Sequence, residues 1–152
     1  MPLTFTDRHA TSLVAPSLAA GEEILFRCRG IEKPWYSQIF WRLGAFFWKN
    51  WLVVGTTQRL LFVQYGGLLG GYAAKGTHAF GWHELDEVKL GWGVFNKTLR
   101  ARSARKGLSR SVVLGRFWMK GNFAAAEGMT RQWESSRRAL STTPTGHAAL
   151  LA

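Results

Sequence analysis

Acid is scarce in this chain of 152 residues: nine Asp and Glu stand against 20 Lys and Arg, a formal net charge of +11. That imbalance points to anionic partners, whether phospholipid headgroups, nucleic acid or an acidic protein face, and does not choose among them. Cysteine is nearly missing as well. Cys28 alone cannot close an internal disulfide, and no Cys-x-x-Cys or Cys/His cluster offers metal-ligand spacing, so neither a metal nor a cofactor is expected. A reducing, cytoplasmic compartment fits that usage. No stretch reaches the roughly 18 to 20 apolar residues of a spanning helix. Asp7 and Arg8 fall where a secretory signal needs its apolar segment, so no cleavable leader is expected.

Hydrophobic residues make up 47% of the chain and charged residues 19%, which excludes bulk disorder and leaves room for one domain with a real core. Eight Trp and ten Phe are more aromatic surface than such a core usually needs. Residues 51–54 and 60–63 are two short apolar runs rich in β-branched and aromatic side chains, separated by Gly55, Thr56, Thr57 and Arg59. They read as a strand hairpin or a sharply bent strand. An earlier strand, residues 24–29, alternates Ile24, Phe26 and Cys28 with Leu25, Arg27 and Arg29. Residues 1–20 read as an N-terminal arm with room for one helix over residues 7–14, and residues 141–152 as a fraying tail.

The densest aromatic segment is residues 34–51, with Trp35, Tyr36, Phe40, Trp41, Phe46, Phe47, Trp48 and Trp51. As a helix it is apolar nearly all round, with Gln38, Arg42 and Lys49 as the strong polar interruptions. Three readings stay open: core aromatics, a segment lying in a membrane interface with its cations reaching the phosphates, or a protein-protein patch. Residues 65–76 carry five glycines and read as a mobile loop without the Gly-Lys-Ser/Thr ending of a phosphate loop.

From residue 88 to residue 126 there is no acid. Strands over residues 93–102 and 109–117 flank an Ala104-Arg105-Lys106-Gly107 turn and form a basic hairpin. Leu99, Ala101 and Phe95 share its apolar face, which Lys97 interrupts, and its tip offers Arg102, Arg105, Lys106 and Arg110 together to solvent. Such a hairpin either recognises anions or discourages strand pairing between molecules. Asn122 is a credible N-cap for an amphipathic helix over residues 123–140, with Phe123, Ala126, Thr130, Trp133 and Leu140 along one face. Glu127 with Arg131 and Glu134 with Arg138 are i, i+4 pairs.

Catalytic patterns are wanting. His83 beside Glu84 lacks a nucleophile in the same motif, and no nucleophile elbow or paired carboxylates stand on one element. The expectation is that the chain is not an enzyme.

Three patterns, the opening GEEILFR, the T-x-x-R-L corner at Thr56, Arg59 and Leu60, and a W-x-E-L-x-x-V stretch at Trp82, Glu84, Leu85 and Val88, resemble bacterial pleckstrin-homology-like and GRAM-type domains. The resemblance implies a mainly β fold over residues 21–140, a partly open barrel or curled antiparallel sheets stoppered by one C-terminal helix, with residues 34–51 as an insert. It also implies a binding module for lipid headgroups, peptides or partner domains. The expected function is peripheral attachment to an anionic phospholipid surface at the inner face of the membrane. Headgroup contacts would come from Lys97, Arg100, Arg102, Arg105, Lys106 and Arg110, and membrane or partner contacts from Trp35, Tyr36, Phe40, Trp41, Phe46, Phe47 and Trp48. The alternative is a protein-interaction adaptor that self-associates through its aromatic segment; single-stranded nucleic acid ranks behind both.

Overall fold

The computed structural model describes residues 6–33, 48–66 and 72–142. Helix α1 (Asp7–Val14) precedes strands β1 (Ile24–Glu32), β2 (Lys49–Thr56), β3 (Arg59–Gly66) and β4 (Ala73–Gly81). A short 3-10 turn at Trp82–Glu84 leads to β5 (Glu87–Leu90), β6 (Asn96–Ser103), β7 (Leu108–Gly115) and helix α2 (Asn122–Thr142). The strands form one antiparallel sheet in the order β4-β3-β2-β1-β7-β6-β5. β1 is its hinge line, paired along its length with β2 and through Gly30 and Ile31 with Leu114 and Val113 of β7. The sheet curls without closing, and α2 fills the concave side.

Strand alternation sorts the side chains of β2 and β3 into two cores. Trp51, Val53, Leu60 and Phe62 face inward to Ala126 and Met129 of α2, while Leu52, Val54, Leu61 and Val63 face outward to Ala10, Leu13 and Val14 of α1. A strand buried on both faces reads as the unbroken apolar run seen in the sequence. The N-terminal segment expected as an arm therefore carries a docked helix that completes the second core. Helix α2 approaches closely because Gly128 leaves room for Phe26, whose ring would lie 2.3 Å from a Cβ at that position.

The T-x-x-R-L corner is the polar knot of the fold. Arg59 donates from Nε and Nη2 to the two oxygens of Glu22, each at 2.9 Å, and Nη2 also reaches the Ser17 carbonyl. The Thr56 hydroxyl donates to Glu22 Oε1 at 2.6 Å and accepts from the backbone N–H groups of Gln58 and Arg59, holding the turn between β2 and β3. The Ala19 N–H supplies a further donor to Glu22. Trp82 joins the knot through its indole N–H, which donates to the Thr56 carbonyl. The three sequence patterns of the corner are thus one contact cluster.

Several elements differ from the sequence-based expectation. Residues 65–76 are not one loop: β3 runs through Gly66 and β4 starts at Ala73, because backbone pairing of Tyr65 with Ala74 and of Gly66 with Ala73 offsets the low strand propensity of the glycines. Asn122 is the first residue of α2 and its amide does not cap that helix. It accepts from the Arg29 N–H and donates to the Arg29 and Gly115 carbonyls, clamping the helix start to β1 and β7. Leu140 is exposed, since the sheet ends before α2 does. Glu127 bonds Lys97 across to β6 at 3.0 Å, whereas Glu134 and Arg138 form their i, i+4 pair.

Two predictions follow from these polar contacts. Arg59 holds the Glu22 carboxyl at about 2, against an ordinary 4.5, with Ala19 and Thr56 assisting and burial opposing. Because the folded value is the lower one, this stabilisation is complete above pH 4.5 and is lost as the pH falls toward 2. At about 1.4 kcal/mol per unit, the wild type should lose roughly 3 kcal/mol over that range that Glu22→Gln does not, as read by urea denaturation. Asn122→Ala strands two carbonyls and one N–H in the interior, and should cost about 3 kcal/mol in the same assay with an unchanged denaturant slope.

Candidate functional site

Register decides which cations of the basic hairpin act together. Arg100 and Arg102 lie opposite Ser111 and Ser109 on the exposed face of β6 and β7, and Arg105 is exposed at the turn. Arg110 pairs with Ala101 and so turns to the concave side. Its guanidinium lies 5.4 Å from the Trp51 ring and 3.2 Å from His78 Nε2. Burial and then Arg110 push the His78 imidazole below its ordinary value. Lys106 also turns away from the array: it donates to the Ala79 carbonyl and pairs with Glu84 at 2.8 Å, drawing the hairpin tip onto the end of β4. That bond, with a donation from the Gly81 N–H, holds the Glu84 carboxyl below the ordinary range. Lys97 is engaged with Glu127 and sits over the Phe123 ring. The joint presentation of Arg102, Arg105, Lys106 and Arg110 is therefore corrected to an exposed set, Arg100, Arg102 and Arg105, and an engaged set, Lys97, Lys106 and Arg110.

Of the aromatic segment, Trp35, Tyr36, Phe40, Trp41, Phe46 and Phe47 lie outside the described residues. Trp48 is partly exposed, with Lys33 Nζ 4.9 Å from its ring centroid. Trp51 belongs to the core, its indole N–H donating to Glu32 at 2.9 Å.

A second aromatic surface escaped the sequence reading. The β5–β6 connection, Gly91-Trp92-Gly93-Val94-Phe95, exposes Trp92 at 92%, Phe95 at 68% and Val94 at 52%, and the β7–α2 connection exposes Phe117 at 82%. The strands here are shorter than expected, starting at Asn96 and ending at Gly115, which removes Phe95 and Phe117 from the sheet. The Arg116 N–H donates to the Phe95 carbonyl at 2.9 Å and its guanidinium reaches the Val94 carbonyl, so the two connections form one shelf. Trp118 folds back, its ring 2.3 Å from where a Cβ on Gly115 would stand, and stays partly exposed. A hollow of about 490 Å³ lies between the shelf and the start of α2, lined in part by Val94, Arg116, Phe117 and Phe123. Arg116 and Lys120 bring positive charge to the same connection. The available signal was local: Trp92 stands between Gly91 and Gly93, a pair that interrupts any strand there.

Among the described residues no three His, Cys, Asp or Glu side chains converge as a metal site, and no helix is long and apolar enough to cross a membrane.

No protein-family model matches this chain, and no curated protein does. Among solved structures it is similar to the hSac2 domain from the human phosphoinositide phosphatase Sac2, with a TM-score of 0.50 and 10% identity over 90% of this chain and 86% of that one. It is also similar to the C-terminal domain of an unknown protein from Leishmania infantum, with a TM-score of 0.47 and 16% identity over 82% of this chain and 94% of that one. The open seven-stranded antiparallel sheet with one C-terminal helix is a pleckstrin-homology-like fold.

Proposed function

We propose that this chain is a non-enzymatic module of the bacterial GRAM-type kind, which attaches peripherally to an anionic phospholipid surface at the cytoplasmic face of the membrane. The observation that carries this reading is the shelf. Trp92, Val94, Phe95 and Phe117 stand in water on two connected loops, and the chain holds no acid from residue 88 to residue 126. Exposed apolar clusters on soluble domains mark interaction surfaces, and Trp beside cations suits the headgroup boundary of a bilayer. Each cation near an anionic surface contributes about 1 kcal/mol, so Arg116 and Lys120 with the exposed arginines of β6 add appreciably to aromatic insertion. A domain of a phosphoinositide phosphatase sharing the fold is compatible with a lipid setting.

Co-sedimentation with phosphatidylcholine vesicles, with and without phosphatidylglycerol, tests the proposal. The protein should pellet with the anionic vesicles and release in high salt. The double variant Trp92→Ser, Phe117→Ser should bind at least tenfold more weakly, since each ring contributes roughly 1.5 to 3 kcal/mol on burial. Failure to pellet with either vesicle, together with a stable dimer by light scattering that the double variant disrupts, would replace the membrane with a second copy of the chain.

A further inference from the structure

We propose that Lys89, Thr98 and Arg100 form a binding site for a single phosphate group, on the exposed face of β5 and β6 beside the shelf. The inference deepens the membrane reading, and rests on it only where the phosphate belongs to a lipid. In the β5–β6 ladder Lys89 lies directly opposite Arg100, and the next pair on that face is Gly91 opposite Thr98, joined by a bond from the Gly91 N–H to the Thr98 carbonyl. Gly91 contributes no side chain, which leaves a recess of about 210 Å³ lined by Lys89, Gly91, Thr98 and Arg100. Pockets for drug-sized ligands run from about 300 Å³ upward, so the recess suits one tetrahedral anion and not a nucleotide.

The lining supplies a guanidinium, an ammonium and a hydroxyl, the donors that bind phosphate best when they converge. No carboxylate is among its lining residues; Glu87 meets Lys89 at 3.7 Å on the far side from Gly91 and lies opposite Arg102. Like charges directly opposite across a ladder destabilise a sheet. Lys89 and Arg100 are such a pair, and an anion between them removes the repulsion. A purely solubilising edge needs charge but neither a recess nor a like-charged facing pair.

Gly91→Val separates a built site from diffuse attraction. A Cβ at this position meets Thr98 at ordinary contact distances of 3.5 and 3.7 Å and the glycine has no positive φ, so the sheet accepts the residue while its methyl groups fill the recess. Calorimetric titration with inorganic phosphate, against chloride at equal ionic strength, should show saturable binding to the wild type that weakens at least tenfold in Gly91→Val. Lys89→Gln, which removes one of the donors, should abolish the rise in melting temperature that phosphate produces in the wild type. The shelf variant Trp92→Ser, Phe117→Ser should retain phosphate binding, so loss of vesicle attachment and loss of this site are read apart. Vesicles containing phosphatidic acid and vesicles of equal charge containing phosphatidylserine distinguish the sources. A phosphatidic acid preference that Gly91→Val erases assigns a lipid phosphate, and equal binding assigns a free one. A phosphate response no greater than that of chloride, or one unchanged in Gly91→Val, overturns the site.

Discussion

The pair between the buried Glu22 and the half-buried Arg59 is the constraint on which the other elements depend. A carboxylate whose side chain is fully removed from water is costly unless each lone pair is met, and here Arg59, Thr56 and the Ala19 N–H all meet it. Those partners come from the segment after α1, from the end of β2 and from the start of β3. Satisfying one carboxylate thus sets the approach of the N-terminal segment, the tightness of the central hairpin and, through the Thr56 carbonyl, the seat of Trp82. Geometry at this corner is transmitted to both cores, because β2 and β3 are buried on their two faces.

Polar side chains do similar work elsewhere. Asn122 takes the place of a strand neighbour for Arg29 and ties α2 to the line where β1 meets β7. Trp133 donates its indole N–H to the Leu85 carbonyl, and Lys97 reaches Glu127, so the helix is held at three heights along the sheet. Lys106 tethers the β6–β7 turn to the end of β4. Cations spent in this way are unavailable for a partner.

The surfaces left over are those that no internal contact requires. The β5–β6 and β7–α2 connections are tied to one another by Arg116 yet leave Trp92, Phe95 and Phe117 in water. Next to them the exposed face of β5 and β6 sets Lys89 against Arg100 around the space above Gly91. Apolar rings that enter a headgroup region and donors that meet a phosphate act at adjacent depths of the same interface, so the two surfaces complement each other in the proposed reading.

Much of the fold was legible in the order of residues. Period-two alternation located β1 and β6, the turn after β6 located β7, apolar runs located β2 and β3, and helical spacing located α2, because each depends on near neighbours. The composition also set the positive charge and the excess of aromatics. The docking of α1, the clamp made by Asn122 and the bond from Lys97 to Glu127 join residues far apart in the chain, so local pattern could not supply them. The same holds for the site. Lys106 and Arg110 look like Arg100 and Arg102 in sequence, but strand register turns Arg110 inward and Arg100 and Arg102 outward, and Lys106, in the turn, is taken up by Glu84. Whether a ring such as Phe95 is core or surface depended on where β6 began, a boundary that only pairing with β7 decides.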